Sequence, residues 1–82
     1  MKEQQAMPYT QELLEELKIL ALFNLSTTQE GIKVHSGAGV PAIDATARLF
    51  EKGMLTQVDG GYPTSLGMEA AEHAQTLLGL LR

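Results

Sequence analysis

Apolar residues recur at helical spacing over most of the chain, broken by one short stretch that reads as two strands around a tight glycine turn. Leu13, Leu14, Leu17, Leu20 and Ala21 form one stripe, with Glu12, Glu15 and Glu16 on the far side. This predicts a first helix from the N-cap Thr10, just after Pro8, to about Phe23–Asn24. Ser26 with Gln29 and Thr27 with Glu30 are overlapping capping boxes. They predict a second, short helix with Ile32 as its core residue, stopped by the glycines of His35-Ser36-Gly37-Ala38-Gly39. Pro41 and Gly53 bracket a third helix, Pro41 at its first position and Gly53 as the left-handed residue past its end. At 100° per residue Val40, Ile43, Ala47 and Phe50 share one face, predicted to point inward, with Ala42, Thr46 and Leu49 beside it. Asp44, Arg48, Glu51 and Lys52 share the other, predicted to face solvent.

Thr56-Gln57-Val58 and Tyr62-Pro63-Thr64 flank the turn residues Asp59-Gly60-Gly61, a hairpin signature. Pro63 has no N–H to give a ladder, so its strand is expected at an edge. Thr64 or Ser65 caps a final helix to about Leu81. Its apolar residues Leu66, Ala70, Ala74, Leu77, Leu78 and Leu81 cover close to half the circumference, wider than one small core needs. The pattern predicts a mainly α fold of about four helices with a small two-stranded β-wing, a winged helix-turn-helix-like arrangement. Residues 1–9 read as a loose, flexible N-terminal arm and 10–82 as one domain.

Eighty-two residues exclude a second domain and lie near the size below which a core needs outside support. No apolar run is long enough to span a bilayer, and the start of the chain lacks the apolar region of a secretory signal. With no cysteine, the expectation is a cytoplasmic protein without disulfides, thiolate chemistry or Cys-based zinc. The net charge of -4 has the wrong sign for a nucleic-acid binder.

The run Ala47-Arg48-Leu49-Phe50-Glu51-Lys52-Gly53-Met54-Leu55, then a Gly-turn hairpin, then Thr64-Ser65-Leu66-Gly67, resembles winged helix regulators of the MarR and PadR type. In that pattern a recognition helix ends in Leu-x-x-x-Gly-Leu, a wing follows, and the next helix starts Leu-Thr-x-x-Gly. The whole chain is also similar to a small uncharacterised family of bacterial proteins of about this length, some of them labelled DNA-binding or regulatory. The resemblance implies a recognition helix over 41–52, a supporting helix over 26–35 and a wing over 56–64. The sequence departs from it at the wing tip, where an acid, Asp59, stands in place of a base, and at Pro63.

Two functions follow as expectations. The first is a winged-helix DNA-binding protein, a transcriptional regulator that contacts double-stranded DNA. Arg48 and Lys52 would reach the groove, and Gln29, Lys33, Ser36 and Tyr62 would hold the backbone. The second is a protein–protein interaction adaptor on the same fold, which suits the charge better: residues 27–64 hold three bases (Lys33, Arg48, Lys52) against four acids (Glu30, Asp44, Glu51, Asp59). The resemblance tips the choice to DNA. Solvation of an Asp44–Arg48 pair and packing of the Tyr62 ring on its hairpin are the plainer readings of those side chains. Leu77, Leu78, Leu80 and Leu81 are the expected homodimer seam, because the core can take only one of Leu78 and Leu80. His73 with Glu69, and His35 alone, fall short of a metal site. No phosphate-cradling loop, nucleophile elbow or carboxylate pair is present, so neither cofactor nor enzyme activity is expected.

Overall fold

The computed structural model describes residues 10–82, so the expected arm over 1–9 lies outside the described residues. Three helices and three short strands follow in the order α1 (Gln11–Leu20), β1 (Ile32–Lys33), α2 (Val40–Glu51), β2 (Leu55–Gln57), β3 (Gly60–Pro63) and α3 (Ser65–Leu81). A single 3-10 turn, Ser36–Ala38, precedes α2. The strands form one antiparallel sheet in the order β1-β3-β2.

Several local signals act as their chemistry requires. Thr10 Oγ1 accepts from the Leu13 amide at 3.2 Å and Thr64 Oγ1 from the Gly67 amide at 3.1 Å, so both helices start on a threonine cap. Gly53 follows α2 at φ 80°, a conformation glycine reaches without Cβ strain. The core gathers Ile19, Leu20 and Phe23 from α1 and its exit, Ala45 and Leu49 from α2, Leu55 from β2, and Ala71 and Ala74 from α3.

The expected helix over 26–35 does not form. Short polar side chains make turns there instead: the capping candidate Thr27 accepts at Oγ1 from the Gln29 amide at 3.0 Å, and Asn24, just before the segment, accepts at Oδ1 from the Ser26 amide at 2.9 Å. Both bonds reach only two residues ahead, the pattern by which Ser, Thr and Asn compete with helix. Ile32 and Lys33 pair with Gly61 and Gly60, which makes the sheet three-stranded rather than a two-stranded wing. β3 is therefore the central strand, not an edge. Tyr62 and Thr64 donate toward β2, to Thr56 Oγ1 and Met54 O. Pro63 accordingly turns its nitrogen to the other side, where β1 has already ended opposite Gly61. The hairpin loop is Val58-Asp59, closed by the Gln57–Gly60 pair, one step earlier than expected.

Two helices are rotated from the expected orientation. In α1 the buried residues are Glu16, Ile19 and Leu20, while Leu13 and Leu14 are exposed. In α2 they are Ala45, Thr46 and Leu49; Phe50 is 40% exposed, Val40 67% exposed, and Ile43 and Ala47 only half-buried. Thr46 tolerates burial because its hydroxyl donates to the Ala42 carbonyl one turn back, at 2.7 Å. α3 seats Gly67, Ala71 and Ala74 on the core. A Cβ at Gly67 would land on the Met54 carbonyl oxygen, so α3 can approach the sheet this closely only with glycine there. Gln75 ties α3 to α1, its amide donating to the carbonyls of Leu20, Ala21 and Phe23, the last at 2.7 Å.

Candidate functional site

The rotation of α1 and α2 has one centre. Glu16, expected on the solvent side of α1, is 5% exposed and faces α2. Arg48 Nε donates to its Oε2 at 2.7 Å and Lys52 Nζ to its Oε1 at 2.5 Å. Arg48 Nη2 also donates to the Glu12 carbonyl at 3.1 Å. The two cations stand one turn apart on α2, a spacing that lets them bracket a single carboxylate. Burial pushes the Glu16 carboxyl up, but the hydrogen bonds and charge of Lys52 and Arg48 outweigh it and hold the group below its usual range. The cluster is a structural clamp between two helices. It engages the two cations expected to meet DNA, which stay partly exposed, Arg48 at 31% and Lys52 at 44%.

With those cations engaged, the outward centre of α2 is formed by Val40, Asp44, Ala47 and Glu51. Beside it, between the first halves of α1 and α2, runs a shallow groove of about 230 Å³. Val40 and Pro41 supply apolar surface, Glu12, Glu15 and Asp44 supply carboxylates, and Arg48 is the one cation in the lining. Glu15 is held ionised by hydrogen bonds from Lys18 at 3.2 Å and Gln11 at 2.8 Å, which keep its carboxyl below the usual range. Chemically this groove offers negative charge around a small apolar surface.

The remaining residues expected at a DNA contact are dispersed. Gln29 and Tyr62, with Thr28, line a separate hollow of about 290 Å³. Lys33 is exposed on β1 and Ser36 opens the 3-10 turn. Arg48 and Lys52 are brought together, but on Glu16. Of the expected dimer residues, Leu77, Leu80 and Leu81 are exposed. Leu78 is half-buried and lines a groove with Leu14, Leu17 and Ala21 of α1 and its exit. His73 and Glu69 lie 3.9 Å apart on the surface of α3. Among the described residues no group of three side chains is placed to hold a metal ion, and no helix is long and apolar enough to cross a membrane.

Sequence reasoning missed Glu16 and Gln75. A signal for Glu16 was present: it stands at helical spacing from Ile19, Leu20 and Phe23, in line with the stripe that is in fact buried. Gln75 carried none, since its partners are main-chain carbonyls.

These features define a small, mainly helical domain with a three-stranded antiparallel sheet and an anionic groove between its first two helices. The chain belongs to the Family of unknown function (DUF5669), whose model matches residues 7–82. No curated protein and no solved structure matches it.

Proposed function

We propose that the domain is a winged-helix-like interaction module that docks a basic segment of another protein in the groove between α1 and α2, and is not primarily a DNA reader. The winged-helix reading is supported by α2 running into the β2–β3 hairpin, with β1 on the outer side of β3. The observation that carries the functional reading is the engagement of Arg48 and Lys52 by Glu16. A helix that reads a duplex must bring cations and donors towards phosphates. The outward centre of α2 brings Asp44 and Glu51 instead, with Val40 between the groove and solvent. A partner with lysine or arginine beside an apolar anchor complements this surface.

DNA binding has one observation in its favour: Gln29 and Tyr62 share a hollow among the described residues, on a fold whose hairpin follows α2. One NMR experiment separates the readings. Titration with a basic amphipathic peptide is expected to shift the amides of Glu12, Val40 and Asp44, with Asp44→Lys removing the effect. Titration with duplex DNA at low salt is expected to leave residues 40–51 unmoved. DNA-induced shifts clustered on 26–36 and 44–52, falling steeply with salt, would overturn the protein-docking reading. Peptide binding indifferent to Asp44→Lys would do the same.

A further inference from the structure

α3 carries two parallel strips, and the larger side chains lie on the more exposed one, about 100° round the helix from the core strip and touching the core only at Ala70. The core strip is Gly67, Ala71 and Ala74. Shifted from it by one residue runs Leu66, Ala70, His73, Leu77 and Leu80, stepping four, three, four and three. That is the alternation of a coiled-coil seam. Leu66, Leu77 and Leu80 are 46%, 52% and 78% exposed, and the His73 side chain is 76% exposed. A helix that only completed its own core would turn its leucines inward and its alanines out.

We infer that this outward strip of α3 is a self-association seam, covered by the same strip of a second copy of the chain. Three arguments select a second copy. The strip can meet its own image in antiparallel register, Leu66 against Leu80 and Leu77 beside the small, half-buried Ala70, so an isologous contact closes without a second kind of surface. The exposed leucines of the strip, with Leu81 at its edge, offer on the order of 400 Å² per copy. With Ala70, His73 and the flanking polar side chains this brings two copies to the lower end of the ~1,200–2,000 Å² of a stable interface. The core of a single copy is also small, since Leu49 and Thr46 are its largest fully buried side chains, and domains of this size commonly gain support from oligomerisation. The inference stands apart from the α1–α2 groove and does not depend on what docks there.

Analytical ultracentrifugation over a concentration series tests it. The wild-type mass is expected to move from one chain to two, and Leu77→Glu with Leu80→Glu to hold it at one chain throughout, with the helical circular dichroism retained. Glu72→Gln, off the strip, should associate as wild type does. If the leucine variant fails to fold, His73→Glu reads the same seam from an already exposed position. A wild-type chain that stays single at the highest concentration would overturn the inference. A dimer that persists in the seam variants, placing the contact on another face, would also overturn it.

Discussion

The α1–α2 contact and the outward strip of α3 are both helix surfaces with apolar residues to spare, yet one is closed and specified and the other is open. Between α1 and α2 a single carboxylate takes one hydrogen bond from each of two cations, and this geometry permits one rotation of each helix. Along α3 the leucines have spacing, and the one polar member of the strip, His73, meets only Glu69 of its own helix, at 3.9 Å. The difference shows that apolar content did not decide which face went inward. Ile19 and Leu49, which are buried, are no more apolar than Leu13 and Phe50, which are exposed, and the hydrogen-bonded ion pairs of Glu16 with Arg48 and Lys52 are what the observed rotation adds.

The contrast can be broken from either side. Leu49→Ala, beneath the clamp in a hollow it shares with Glu16, Lys52 and Met54, should cost about 3 kcal/mol, or about 15 °C in Tm. Urea denaturation measures it, and a loss below about 1 kcal/mol would place the core elsewhere. Gly67→Ala should cost about 2 kcal/mol, because its Cβ meets the Met54 carbonyl. Alanine is otherwise the better helix former by about 1 kcal/mol, so a raised Tm would show that α3 is not seated on the sheet.

Glu16→Gln should cost about 1–3 kcal/mol at neutral pH, less than for a fully buried pair because Arg48 and Lys52 remain partly exposed. The folded-state carboxyl is depressed, so its stabilisation is complete above the ordinary carboxylate range and is lost as pH falls through the lowered value. The gap between wild type and Glu16→Gln in urea midpoints should therefore close in acid, and a gap constant with pH would exclude the clamp. Smallest of all, Leu80→Glu should change the stability of the single chain by no more than about 0.5 kcal/mol, since the side chain is already mostly in water.

Much of the frame was legible in the residues themselves. The caps at Thr10 and Thr64, the stop at Gly53, the hairpin and three of the helices all rest on interactions within a few residues of their cause. What was not legible required distant partners. The 26–35 segment has capping residues that serve turn and helix equally well, and pairing with β3 decided between them. The faces of α1 and α2 were misread together, because the wide apolar arcs allow two rotations and only the Glu16 clamp, 32 and 36 residues from its partners, distinguishes them. For the candidate site this matters most. Within α2 alone Arg48 has Asp44 as its plainest partner and Lys52 has none assigned, and their shared engagement by Glu16 is visible only once α1 is laid against α2.

The amide of Gln75 reaches the Leu20 carbonyl across 55 residues of sequence. As the polypeptide leaves the ribosome, the tail of α1 must wait for much of α3 to emerge before its last carbonyls acquire the side-chain donor that binds the two helices. Until then the Leu20 carbonyl has only the local Phe23 amide, at 3.4 Å, and the end of that first segment lacks its tie to the last helix. The native joint between the first and last helices thus closes only when the two ends of the domain are both present.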